Sequence, residues 1–122
     1  MIKNSDEALA RLKRSKFRSS FHLRKYMLEY INKNGIDKIE EHSYDFLKKR
    51  LAPAYIKNDG HQTPMKGHPT FIAQHATATC CRGCLEKWYG IPKDRELNAC
   101  EIDFFVSLIM KWIKEEIDKV EV

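Results

Sequence analysis

At 122 residues the chain is short enough to be one domain, residues 1–122, and long enough to bury a core. Its apolar share of 43% is ordinary for a soluble globular protein, and no run nears the eighteen or so apolar residues of a membrane helix. The net charge of +5 raises nucleic acid as a partner without asserting it, and the absence of a targeting segment points to the cytoplasm.

The first predicted element is a short helix over Ala8–Arg14, with Ser5 or Asp6 placed to cap it. From Arg11 to Lys25 there are seven basic residues and no acid, interleaved with Phe17 and Phe21. Cations spaced among aromatics suit phosphates and stacked bases, so Arg14, Lys16, Arg18, Arg24 and Lys25 are the candidate nucleic-acid contacts. The bland alternative is a solvated face whose aromatics anchor the N-terminus.

Leu23, Tyr26, Met27, Tyr30 and Ile31 repeat at three and four, predicting a helix over His22–Asn34 that stops at Gly35. Asp37 with Glu40 reads as a capping box for the next helix, whose inner face is Ile36, Ile39, Ser43, Phe46, Leu47 and Leu51. Residues 52–67 form one long polar connection with an Asn58-Asp59-Gly60 turn signal. Because this loop leads straight into His68, its residues Asp59, His61, Gln62, Thr63 and Lys66 are expected beside the following stretch as supporting donors or a rim.

Residues 68–84 hold two of the five histidines and three of the four cysteines. Pro69 marks a first helical position, and His68 stands either as a metal ligand or as the cap of that helix. His68 and His75 are seven apart and would share a face if both were helical. Cys81-Arg82-Gly83-Cys84 is a Cys-x-x-Cys whose Gly could supply a positive φ, and Leu85–Tyr89 reads as a helix ending at Gly90. The second thiolate would then sit at a helix N-terminus. These residues point to a metal site, zinc foremost, drawn from His68, His75, Cys80, Cys81 and Cys84, either as Cys2His2 or as Cys3His. Leu85 stands where a c-type haem needs His, and no strand pattern supports a thioredoxin-like redox pair. Cys100 is expected to pack in the core, or to fold back as a fourth thiolate for an iron–sulfur cluster.

The last helix is capped by Asn98 with Glu101, and Ile102, Phe105, Val106, Ile109, Met110, Ile113 and Ile117 carry its stripe over five turns. It is expected to be the wall on which the others pack.

The run from Asn58 to Trp88, containing Gln62-Thr63-Pro64-Met65 and Gly67-His68-Pro69 and closing on Cys80-Cys81-Arg82-Gly83-Cys84-Leu85-Glu86-Lys87-Trp88, resembles the signature of an uncharacterised microbial family of short single-domain chains, a domain of unknown function. The likeness extends to Arg14–Arg18 and Phe21–Leu23 upstream and to Ile109–Ile113 downstream. The family implies no activity. Its members are similar in carrying His after the Trp, where this chain has Tyr89, so position 89 is not an obligatory ligand.

The expectation is therefore an all-α domain of about five helices with a Cys/His metal stretch after a long polar loop. A zinc-stapled module that binds nucleic acid leads. A hydrolase-type metalloenzyme with an open metal position is the alternative, followed by a cysteine redox or iron–sulfur protein.

Overall fold

The computed structural model describes residues 4–120. Six α-helices carry the described chain: α1 (Ser5–Lys13), α2 (Lys25–Asn34), α3 (Ile36–Arg50), α4 (Pro69–Ala76), α5 (Arg82–Tyr89) and α6 (Ala99–Val120), with a 3-10 turn at Arg18–Ser20. No strand occurs among the described residues. The expected helical architecture holds, with one helix more than the five anticipated.

Helix α6 is the wall. Its Ile102, Phe105, Val106, Leu108, Ile109, Met110 and Ile113 are buried, and α1, α3 and α4 all pack on it. The reciprocal box at its start forms: Asn98 Oδ1 accepts from the Glu101 N–H at 2.8 Å, and Glu101 Oε1 accepts from the Asn98 N–H at 2.9 Å.

Helix α4 is the centre, with all eight residues buried. An eight-residue helix is too short to be stable by itself, so its stability comes from what surrounds it. Its polar groups are paired inside: Ser43 and Thr70 share a hydroxyl bond of 2.8 Å between α3 and α4, and Thr77 donates to the Ala73 carbonyl at 2.7 Å. Gln74 Nε2 reaches the Thr79 carbonyl at 3.0 Å. Ala78, fully buried, turns the chain out of α4 at φ +58.

Three helix starts differ from the sequence reading. Asn4, not Ser5 or Asp6, caps α1, its Oδ1 accepting from the Glu7 N–H at 2.8 Å. The Asp37–Glu40 box is not made, because Gly35 at φ +87 ends α2 and begins α3 in a single residue. Helix α2 begins at Lys25 rather than His22, because the Leu23 N–H is held by the buried Glu116 carboxylate at 3.0 Å, which keeps the preceding strap extended. No helix among the described residues is long and apolar enough to cross a membrane.

Candidate metal centre

The chain from Thr79 to Cys84 passes from the end of α4 into the start of α5. Cys81 is the N-cap of α5, its sulfur accepting from the Cys84 N–H at 3.4 Å. One helical turn therefore brings Cys81 and Cys84 side by side with their sulfurs 3.2 Å apart, and the preceding residue turns back to put the Cys80 sulfur 3.5 Å from that of Cys84. All three sulfurs lie within 4.8 Å of one another, a set able to hold one metal ion. Cys80 and Cys81 are buried and Cys84 is half-buried.

The loop before α4 supports this cluster, as its position in the chain suggested. Asp59 caps α5 through both oxygens: Oδ1 accepts from the Arg82 N–H and Oδ2 from the Gly83 N–H, each at 2.9 Å. Gln62 donates to Asp59 in turn, and Thr63 Oγ1 holds the Cys80 carbonyl at 2.8 Å. Burial alone would raise the Asp59 pKa, but the bonds from Gln62, Arg82 and Gly83 and the charge of Lys93 hold it below the usual carboxylate value. Gly83 has no positive φ; it lies in the first turn of α5, and a Cβ there would meet Asp59 Oδ2 at 3.2 Å. The missing side chain leaves room for the carboxylate, which a Cβ would push back by a few tenths of an ångström. His61 and Lys66 are exposed.

Two arginines are the unexpected members. Arg82, 1% exposed, sends Nη1 to the carbonyls of Leu51, Ala52 and Pro53 and Nη2 to those of Pro92 and Arg95. One guanidinium thus ties the C-terminus of α3 to the loop before α6, directly under the cysteines. Arg18, 9% exposed, enters from the strap after α1: Nη2 donates to Cys84 Sγ at 3.2 Å, and Nη1 to Cys80 Sγ at 3.7 Å and to the His75 carbonyl at 2.8 Å. This corrects its reading as a surface contact for nucleic acid. A guanidinium desolvated against sulfur cannot also reach a phosphate. Of the five basic candidates the others, Arg14, Lys16, Arg24 and Lys25, are exposed.

The electrostatics follow from these contacts. The hydrogen bond between Cys80 and Cys84 lowers the Cys80 pKa, burial opposes it, and Arg18 lowers it further. Cys84 is pushed well up, first by its bond to Cys80 and then by burial, and Cys81 is raised chiefly by burial. Burial would lower Arg18, but its bonds to Cys80 and Cys84 outweigh that and leave it raised.

The histidines go elsewhere. Neither belongs to the set of ligand atoms that lie close enough to share an ion with the sulfurs. His68 caps α4, its Nδ1 accepting from the Thr70 N–H at 3.0 Å, and its Nε2 lies 3.0 Å from Nδ1 of His42. With Nδ1 taken, the neutral ring carries its proton on Nε2, and no lone pair is left for a metal. Burial first, and His42 second, pushes its pKa down to about 4. His75 is buried, stacked on Phe21 with ring centroids 5.6 Å apart, and its Nε2 lies 3.2 Å and 3.1 Å from the carbonyls of Thr63 and Pro64. Nε2 is therefore the protonated nitrogen, and Nδ1 keeps its lone pair.

Cys100 is exposed on α6, away from the stripe that starts at Ile102, and it is not part of the cluster. This corrects its expected burial, and the four cysteines are not gathered at one place. Tyr89 is buried beside Phe105, donates to the Thr77 carbonyl, and has its pKa raised by burial.

No solved structure matches this arrangement of helices. The model of the family described as "Domain of unknown function (DUF4186)" matches residues 6–114, and the chain belongs to that family.

Proposed function

We propose that this protein is a small helical zinc-binding protein whose ion is held by Cys80, Cys81 and Cys84. The observation that carries the reading is the three sulfurs converging at one helix start. Tetrahedral zinc with Zn–S bonds near 2.3 Å needs sulfurs about 3.8 Å apart. The observed 3.2 Å and 3.5 Å reach that spacing with shifts of a few tenths of an ångström. In a 4Fe–4S cluster each thiolate binds a different iron and the sulfurs stand farther apart than these, so the spacing favours a single ion over such a cluster. Sulfur-only donors favour zinc over magnesium or calcium.

Three sulfurs leave a fourth position. His75 would have to move to fill it, since its ring nitrogens are not within the 4.8 Å that the three sulfurs share and its Nε2 is held on backbone carbonyls. A water there instead would make the site a hydrolase-type centre, which is the alternative.

The test is elemental analysis of protein purified without oxygen. One zinc per chain in a colourless protein, lost in Cys84→Ser and kept in Cys100→Ser, is the expected result. Brown protein carrying iron and sulfide would replace zinc with a cluster, and metal-free protein would leave a dithiol redox pair.

Nucleic-acid binding is a second reading, supported by exposed Arg14, Lys16, Arg24 and Lys25 alongside Phe17 and Tyr26, which are 58% and 49% exposed. Its affinity for single-stranded oligonucleotide should fall steeply with salt, and no binding at low salt would remove it.

A further inference from the structure

Arg18 is a buried cation with no carboxylate among its hydrogen-bond partners. Its fork meets the His75 carbonyl and two sulfurs, those of Cys80 and Cys84. A desolvated guanidinium needs an anion, and the cysteine sulfurs supply it when they bind an ion as thiolates.

Its position is fixed from both sides. The Arg18 N–H donates to Ser15 Oγ at 3.2 Å, and the Ser19 N–H to the Ser15 carbonyl at 2.9 Å. Downstream, Phe21 stacks on His75 and Leu23 is bonded to Glu116. The strap therefore delivers the guanidinium to the sulfurs as a set part of the fold.

Three thiolates around a divalent ion carry one excess negative charge. Arg18 carries one positive charge. With a neutral fourth ligand, imidazole or water, the buried unit is neutral. Without Arg18, loading the ion would leave a buried anion.

We propose that Arg18 is a positioning residue of the metal centre, a fixed countercharge that matches the pocket to a divalent ion on three thiolates. This rests on the metal-binding reading above and adds to it the residue that sets the affinity.

The experiment uses full-length protein stripped by chelator and titrated with cobalt(II), read by thiolate-to-cobalt charge-transfer absorption in the near ultraviolet. Wild type, Arg18→Gln and Arg18→Lys are compared, with far-ultraviolet circular dichroism to check folding. Arg18→Gln should bind at least about tenfold more weakly, because a contact charge is lost from a desolvated site. Arg18→Lys should stay within about threefold of wild type, because the charge remains although the fork is lost. Affinity unchanged in Arg18→Gln would overturn the inference. So would Arg18→Lys as weak as Arg18→Gln, since geometry and not charge would then be the cause. If Arg18→Gln does not fold, Arg18→Lys decides alone: retained affinity supports the countercharge and lost affinity removes it. Wild type showing no charge-transfer band would strike down the metal reading itself, an outcome distinct from either variant's failure.

Discussion

Acid should destabilise this protein through a single imidazole. His68 is 8% exposed, ringed by Tyr30, Phe46 and Phe71, and it caps the central helix with an unprotonated Nδ1. Protonating it would put an N–H against the Thr70 N–H and break the cap. Its pKa in the folded chain is about 4, against 6.5 when unfolded. Between those values the unfolded state binds the proton and the folded state does not. Stability from this group is therefore complete above about pH 6.5 and is lost as pH falls toward 4. The gap corresponds to about 3 kcal/mol, a large part of the 5–15 kcal/mol typical of a domain. The assay is urea unfolding at intervals from pH 7.5 to 4.5, on wild type and His68→Asn. Asparagine is a strong N-cap, so the variant keeps the bond to Thr70 and loses only the titration and some aromatic packing. Any metal lost in acid is lost by both proteins, so the comparison is between their slopes. Wild type should lose about 2–3 kcal/mol more than His68→Asn across that range. Parallel slopes would refute the assignment of His68 as a neutral cap.

Two further perturbations test the frame that holds the cysteines. Asp59→Ala removes the carboxylate that caps α5 at Arg82 and Gly83, and should cost about 1–2 kcal/mol in unfolding free energy together with weaker metal retention; unchanged stability would show that water replaces the cap without loss. Arg82→Met keeps the volume but strips five backbone carbonyls of their shared donor, and should cost roughly 3 kcal/mol or more by thermal or urea unfolding; a loss under 1 kcal/mol would mean those carbonyls find other partners.

What the sequence disclosed was what is local in it. The α6 stripe, the Asn98–Glu101 box, the stop at Gly90 and the first helical position at Pro69 all depend on neighbours within one or two turns, and each formed. The cysteine cluster was legible for the same reason, since a helix start brings Cys81 and Cys84 together whatever the rest of the chain does. The loop's support of the cluster was legible from adjacency alone, although the capping role of Asp59 was not. Local signals misled where a distant group intervened. His22 to Arg24 have helical spacing but stay extended because Glu116, more than ninety residues away, holds the Leu23 N–H. His68 and His75 share a helical spacing, yet His68 is the cap rather than part of the helix, so the common face expected of them does not arise.

The arginines mark the boundary of sequence reasoning and the centre of the structure at once. A positive charge in a basic run reads as surface, and nothing local sets Arg18 apart from Arg14 or Lys16. Only the fold, joining residues 66 positions apart, brings it to Cys84. Arg82, between Cys81 and Cys84, carries no signal in the sequence beyond its place in the Cys-x-x-Cys, yet it holds five carbonyls from both sides of the chain. Both charges count toward the net +5, yet neither is presented to a partner in solution. Removing them from the basic surface weakens the electrostatic case for nucleic acid and strengthens the case for the cysteines. Burying a guanidinium is expensive unless its partners are fixed, and here one is buried against the sulfurs of this segment while another, carried by the segment itself, is buried against the chain around it. A chain that concentrates such cost around Thr79–Cys84 is built to hold those sulfurs in place.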